Sequence, residues 1–586
     1  MTTRIIGIDF GTSSTVVCVH NVGADNRIAP LAVNGSRTIP TIAFKTKDAG
    51  EMYYGFDAFA KSESNAEGTL YRNFKMDLIS NDEAQRSQAE SLIQGFLRYV
   101  YDQYVELLNG NAFDPADETK VYVSHPAKWN SYARTLMKQS VERAGFCKQE
   151  NIVLKDEPTA AFLAAIHEKN EELKQESMLF EGRKYKAMMI DMGAGTTDIV
   201  LCSYKVANGQ LELDDIFTYP SINAPGLCGG REIDEAIVAE AEQFVNRMQA
   251  KPTATGERVI RKFRLNVKKW KELTLSKALE SGKDLPEPDE ISGFRDSLSD
   301  FGVPIMNEGE KFSFSRERFE TLTQKHWTQW VELLQGAFDE VKGEQYANLN
   351  CPKSPEEVEL LIGTGGHSQW YIVSDYLLGK NGGLNLPMLD FAKIRANPHC
   401  LIQTENPQET VANGLCRLDE DVVGAIAASN DVSIKFSCEG KHLGDCVLIR
   451  KGVPLPFEKK DFEIINTIKG NFIYRKALNV DYSIVTDKDN VVNRSVTVPS
   501  DGIIGTVIKA GAAGLGLAFT TVFKLIASVI KGNFSEFDGS MIDEIANTDY
   551  TVNLSPDIYV NEEGIIKVGG TIVIDDEKAE IPEIII

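Results

Sequence analysis

The sequence predicts an α/β region built around one motif used twice, followed by an all-β region. Three observations predict it. Ile5–Val19 (IIGIDFGTSSTVVCV) and Met188–Leu201 (MMIDMGAGTTDIVL) each read as an apolar strand, a small-residue turn and a second apolar strand. The stretches between them alternate strand-like and helix-like patterns. From about Asp431 the pattern changes to short segments of period-two alternation with turns between them, which argues a β-sandwich.

In each repeated stretch an aspartate, Asp9 or Asp191, closes the strand. Glycine and hydroxyl residues then form a hairpin whose backbone N–H groups can point at an anion. Glycine lets the backbone come close, and the aspartates suit a hydrated magnesium ion that bridges phosphate oxygens. Two such hairpins facing each other would clamp one nucleotide from both sides. A single Gly-Thr turn is ordinarily only a tight turn; the weight comes from its recurrence and from the ordered elements around it.

Composition narrows the classes. At 586 residues there is room for three or four compact units. Lys+Arg 62 against Asp+Glu 85 leaves a net charge of -23 with no long basic run, which argues against a nucleic-acid partner. Nine scattered cysteines without Cys-x-x-Cys indicate neither a disulfide framework nor a zinc site, and fit a reducing cytoplasm. The apolar run starting at Ile5 is broken by Asp9, so no signal peptide is expected, and no run is long enough for a transmembrane segment.

Taken in order, Thr41–Phe44 reads as a strand, and Lys75 sits among apolar neighbours where a lysine needs an anion unless it snorkels to the surface. Residues 84–109 carry Leu92, Ile93, Phe96, Tyr99, Val100, Tyr104 and Leu107 at helical spacing. A strand over Lys120–Pro126 and a helix from about Ser131 to Ala144 follow. In Val153–Ala165 a strand end carries Asp156 and Glu157, Pro158 suits a first helical turn, and the alanine-rich helix lets another helix approach. A carboxylate held there can orient a water molecule.

Past the second hairpin, Gly226–Asp234 is a glycine turn opening a helix, either a plain cap and loop or a backbone approaching phosphate. Residues 257–280 read as a basic helix, 281–313 as polar surface loops, and Ser315–Val341 as a helix. Val358–Ser368 is a strand running into Gly363, Gly365 and Gly366, where a flat nucleoside could lie; His367 there reads as structural or surface rather than catalytic. Asn406–Leu415 opens a helix with small residues on one face.

This order of motifs resembles the actin-like ATPase superfamily, and within it the seventy-kilodalton heat-shock chaperones, over about residues 4–420. Asp9-Phe10-Gly11-Thr12, Asp156-Glu157-Pro158-Thr159-Ala160-Ala161 and Gly193-Ala194-Gly195-Thr196-Thr197-Asp198 carry the likeness. It implies a duplicated ribonuclease-H-like fold with lobes of about 1–185 and 186–420, then a peptide-binding-like β-sandwich over 421–586. It implies ATP or ADP with Mg2+, and K+ as a further candidate ion, with Asp9 and Asp191 as the metal residues. Lys75, Glu157, Asp191 and Thr196 are the implied catalytic set, Lys75 at the γ-phosphate and Glu157 with Asp191 on the attacking water. The implied nucleotide contacts are Gly11, Thr12, Ser13, Gly193, Ala194, Gly195, Thr196, Thr197, Gly229, Gly230, Lys271, Gly363, Gly365 and Gly366. Pro126 and Arg134 match positions that relay nucleotide state between domains.

The chain departs from that pattern. Of the expected nucleoside set on the basic helix only Lys271 and Ser276 are matched, with Lys268 and Glu272 where opposite charges belong, so base preference is open. Ala194 replaces a glycine, and Leu418–Val423 is the nearest stretch to an acidic-apolar linker. The β-region is expected to use Ser433–Cys438, Val447–Arg450, Phe462–Ile468, Phe472–Ala477 and Val480–Val485; Leu448–Pro456 and Asp557–Val568 resemble the family's peptide-binding domain. No helical lid is expected, but an amphipathic helix is expected at about 502–532. It could pack on its own sandwich, serve as a surrogate lid or partner site, or touch a membrane surface. The implied function is a slow ATPase whose nucleotide state controls binding of extended polypeptide, with clients, a protein partner at the β-domain and a co-chaperone as candidate partners. An actin-like filament ATPase and a nucleotide-binding docking module are the alternatives.

Overall fold

The structure, a computed structural model, describes residues 2–586 except 23–24, 49, 65–66, 81, 111–115, 127–128, 221–227, 250–252, 284, 301–304, 306–308, 381–382, 420–421, 424–425, 429, 439, 456, 470–476, 488–489, 500–548, 562–564, 575–576 and 586. The chain divides into two compact units, Met1–Trp129 with Ala133–Ile426, and Asn130–Tyr132 with Ala427–Ile586.

The first unit contains one sheet twice. Strands β1 (Thr3–Phe10), β2 (Ser14–Val22) and β3 (Asp25–Pro30) form an antiparallel meander. On the other side of β1, β4 (Glu118–His125) and β5 (Ile152–Asp156) add in parallel, giving the order β3-β2-β1-β4-β5. The second sheet uses β6 (Tyr185–Met192), β7 (Thr197–Ala207), β8 (Gln210–Tyr219), β9 (Leu360–Thr364) and β10 (Leu401–Gln403). Its order, β8-β7-β6-β9-β10, and its strand directions are the same. Central strands β1 and β6 are buried on both faces, which is why they read as continuous apolar runs rather than as alternation.

Helices cover these sheets, and local signals set their ends. Helix α1 (Glu83–Asn109) starts where the Asp82 carboxylate accepts the Ala84 N–H at 2.8 Å, and it buries Leu92, Ile93, Phe96, Val100 and Tyr104. Helix α2 (Ser131–Ala144) follows β4. Helix α3 (Glu157–Glu168) is capped by Asp156, which accepts the Thr159 N–H at 2.9 Å, and Pro158 lies in its first turn. In the second half come α4 (Gly230–Met248), α5 (Ala254–Trp270), α6 (Asp289–Asp300), α7 (Arg316–Val341) and the short α8 (Thr410–Leu415). Helix α8 approaches α3 so closely that a Cβ on Gly414 would lie 1.7 Å from the Ala160 carbonyl oxygen. Only glycine against an alanine-rich helix permits that spacing.

Two expectations are corrected. Residues 281–313 are not all surface loop: α6 buries Ile291 and Phe294, and Phe312 and Phe314 are also buried. Phe312 and Phe314 join Phe244 on α4, Phe263 and Trp270 on α5, and Phe319 on α7 in an aromatic cluster assembled from distant parts of the chain. The basic helix of 257–280 is interrupted by one π-helical turn over Lys271–Leu275 before Ser276–Ser281 resumes regular helix. Such turns add a residue to one coil of the helix and re-aim the side chains after it.

The second unit has two antiparallel sheets. Lys441–Ile449, Val432–Cys438, Ala477–Asp487 and Asn490–Pro499 form one, in that order. In the other, Phe457–Asp461 and Ile464–Lys469 both pair with Asp549–Val560, followed by Ile566–Ile574 and Glu577–Ile585. Side chains from both, among them Ile434, Phe436, Ile484, Leu554, Ile558 and Ile572, share one core, the arrangement that period-two alternation demands. Most of the expected Phe472–Ala477 segment and the whole expected helix at 502–532 lie outside the described residues. Among the described residues no helix is long and apolar enough to cross a membrane.

Candidate functional site

Because the two sheets share a topology, each places its first hairpin at the same corner, just after the aspartate that stands second from last in β1 or β6. Both hairpins open on one cavity, lined by Asp9, Gly11, Thr12 and Ser13 from the first and by Asp191, Gly193, Ala194, Gly195 and Thr196 from the second. The turns nearly touch: a Cβ on Gly195 would lie 3.4 Å from the Thr12 hydroxyl oxygen. Gly11 has no room for a side chain either, since its Cβ would sit 2.2 Å from the Ser14 carbonyl oxygen.

The floor carries the charges. Lys75 and Glu157 also line the cavity and form an ion pair, Nζ to Oε1 2.5 Å, with the lysine only 2% exposed. The ammonium lies 5.9 Å from the Phe10 ring centre and 5.7 Å from that of Trp129, so aromatic faces cover its other sides. Ser124, on β4, donates to Asp9 at 2.7 Å. Burial and the nearby Glu157 push the Asp9 carboxyl up to about 7, against the opposing pull of Lys75 and Ser124. Asp191 is raised well above the usual carboxylate range by burial, then by Glu157, Asp198 and Asp9. Three carboxylates thus converge on one ammonium, and the excess of hard oxygen donors suits a divalent cation such as Mg2+.

The remaining wall comes from the second half. Gly365, with φ +78, fits against β6 so tightly that a Cβ would lie 2.3 Å from the Met192 carbonyl oxygen and 2.7 Å from Asp191 Oδ1. Gly366 and Gly230 line the cavity with it. Lys271 reaches the cavity but is engaged: its Nζ lies 2.6 Å from Asp234 Oδ1 and donates to the Gly230 carbonyl at 3.1 Å. Lys268 donates to Ser14 Oγ at 3.2 Å, while Glu272 accepts from Gln408 at 3.1 Å, and all four residues lie on the lining.

Three expected contacts fall behind the lining. Thr197, the first residue of β7, points away, its hydroxyl donating to the Cys228 carbonyl at 2.7 Å. Gly363 sits within β9 beside Ser368. Gly229 packs on the hairpin itself, with its Cβ position 2.6 Å from the Ala194 carbonyl oxygen. This turn also makes a protein contact, since the N–H groups of Gly230 and Arg231 donate to the carbonyls of Gly193 and Ala194 at 3.0 and 2.8 Å. Helix α4 uses its first free N–H groups to brace the second hairpin.

Sequence reasoning missed Ser124, Asp234 and Gln408. Asp234 was findable, because it stands four residues after Gly230 on a helix and a buried lysine needs an anion. His367 is buried on the lining, its ring nitrogen 2.8 Å from His326 and its ring stacked at 5.3 Å on Trp327. Burial, with His326 and Lys271 nearby, holds it well below the usual histidine range, which favours the neutral ring.

A family model described as "Hsp70 protein" matches residues 108–345, from the last residues of α1 to just past the end of α7. Relatives named "Chaperone protein DnaK" include one from Endomicrobium trichonymphae, 24% identical over 286 residues, 48% of this chain and 42% of that protein. The Thermoplasma acidophilum protein is 27% identical over 238 residues, 40% of this chain and 34% of its own length. The Thermotoga maritima protein is 23% identical over 374 residues, 64% and 54% respectively. The matches thus span about a third to a half of those relatives.

Proposed function

We propose, for a chain that belongs to the Hsp70 family as a divergent member, a magnesium-dependent ATPase whose nucleotide state controls binding of extended polypeptide by the second unit. One observation carries the reading. Two glycine hairpins of duplicated sheets open on a single cavity whose floor holds Asp9, Asp191, Glu157 and Lys75.

Gly11–Ser13 and Gly193–Thr196 would cradle phosphates through backbone N–H groups and hydroxyls, while Asp9 and Asp191 would hold Mg2+ through water. The ion, when bound, would neutralise phosphate charge. Lys75, kept in place by Glu157 and its aromatic cover, would meet charge developing at the terminal phosphate. Glu157 and Asp191 would orient the attacking water. With Lys271 tied to Asp234, recognition of the base falls to Gly365, Gly366 and the Glu272–Gln408 pair, so the choice between ATP and GTP is a property of this chain. The sandwich of the second unit would take polypeptide clients, with a co-chaperone as a further partner. Nine free cysteines fit a cytoplasmic setting.

Calorimetric titration with ATP and with GTP in magnesium, followed by turnover with and without an extended apolar peptide, tests this. Nucleotide binding that Lys75→Ala leaves intact while turnover falls, and peptide-stimulated turnover, are expected. No nucleotide binding removes the ATPase reading; no peptide effect removes the chaperone reading.

A further inference from the structure

Behind the second hairpin, away from the cavity, lies a group of side chains that the nucleotide site does not use. Cys228 precedes α4, Glu232 stands in its first turn, and His326 projects from α7. Their donor atoms all lie within 4.8 Å of one another. The Cys228 sulfur is 3.8 Å from His326 Nδ1, and that nitrogen is 3.2 Å from Glu232 Oε2. Cys228 and His326 are 3% and 6% exposed, whereas Glu232 is open to solvent and leaves an entry path.

The 3.8 and 3.2 Å separations at His326 Nδ1 are close to those of ligands around one small ion, and the Cys228–Glu232 pair lies within 4.8 Å. Zinc bonds of about 2.3 Å to sulfur and about 2.0–2.2 Å to nitrogen and oxygen, at tetrahedral angles, put donor pairs roughly 3.3–3.6 Å apart. A thiolate, an imidazole and a carboxylate form a borderline-soft set that favours zinc over magnesium. The supporting contacts are also present. His326 Nε2 is 2.8 Å from His367 Nε2, which leaves Nδ1 free to ligate. Thr197 fixes the Cys228 carbonyl, and the Gly229 N–H donates to Glu232 Oε2 at 2.9 Å.

We propose that Cys228 Sγ, His326 Nδ1 and the Glu232 carboxylate bind one zinc-like divalent cation, with a fourth position left to water, clamping the start of α4 to α7. Coordination forms one metal–sulfur bond, and the thiol proton passes to buffer. The site stands independently of the nucleotide reading, since none of its three ligands lines the cavity.

The full chain, stripped of metal by chelation, is titrated with cobalt(II) alone and then with zinc. One equivalent of cobalt should give a thiolate-to-metal charge-transfer band that zinc removes and an equal concentration of magnesium does not. Cys228→Ser should abolish the band, and Glu232→Gln, at an exposed position, should weaken zinc binding at least tenfold while keeping it. Zinc should raise the thermal midpoint of the first unit in the wild type and not in Cys228→Ser. A band that survives Cys228→Ser, the absence of any band, or unchanged zinc affinity in Glu232→Gln overturns the proposal.

Discussion

Removing either member of the Lys75–Glu157 pair should destabilise the first unit, but not equally. A buried pair broken by deleting one partner ordinarily costs about 3–5 kcal/mol. Lys75→Met sits at the top of that range, because it leaves Asp9, Glu157 and Asp191 facing one another without a cation. Two like charges about 4 Å apart repel by roughly 4 kcal/mol at an effective dielectric of 20. Glu157→Gln should cost less, about 2 kcal/mol, since Lys75 still faces Asp9 and one like-charge repulsion is removed. The lysine variant should also be pH-sensitive. Asp9 already sits at about 7, and without Lys75 it rises further, so protonation relieves the repulsion as pH falls. Urea unfolding of magnesium-free protein at pH 8 and pH 6, followed by tryptophan fluorescence, reads both effects. The Lys75→Met penalty should shrink by at least ~1 kcal/mol at the lower pH while that of Glu157→Gln barely moves. Equal penalties, or a larger one for Glu157→Gln, would refute this account of the charges.

Asp9→Asn should stabilise the nucleotide-free, magnesium-free protein at pH 8. A carboxyl raised from 3.8 to about 7 binds its proton more tightly folded than unfolded, so stability falls as pH rises through that window. The gain, at most ~4 kcal/mol, should fade as pH is lowered toward 5 in matched thermal melts, and a pH-independent gain would contradict it. Gly365→Ala should cost ~3 kcal/mol or more and abolish ATP binding by calorimetry, because its Cβ would meet Met192 and Asp191. Gly35→Ala, at nearly the same φ of +75 but in open space, should cost only ~1 kcal/mol and serves as the control. Gly414→Ala should lower the thermal midpoint of the first unit by forcing α8 off α3; a midpoint unchanged within error would mean that this helix contact yields freely.

The hairpins were legible because they combine local signals: apolar runs long enough to be buried strands, an aspartate at the strand end, and glycines where backbones crowd. Capped helices such as α1 and α3 were legible for the same reason, through Asp82 and the Asp156-to-Pro158 start. Helix α6 was not, since two buried residues and a central glycine make a weak pattern; nor was the aromatic cluster around Phe312, whose members are spread from Phe244 to Phe319. Lys271, a nucleotide contact by the family resemblance, does line the cavity, but its pairing with Asp234 was not legible, since it depends on how two helices pack.

By itself the sequence determined the duplicated strand–turn–strand units, the glycines and carboxylates at their tips and the alternating strands of the sandwich, because each rests on residues a few positions apart. Tertiary structure alone decided that the two turns share one cavity, that Lys75 faces Glu157 across 82 positions, and that Cys228 meets His326 across 98. Those pairings depend on how two sheets and their covering helices pack, and no local periodicity encodes which distant side chain will stand opposite a given one.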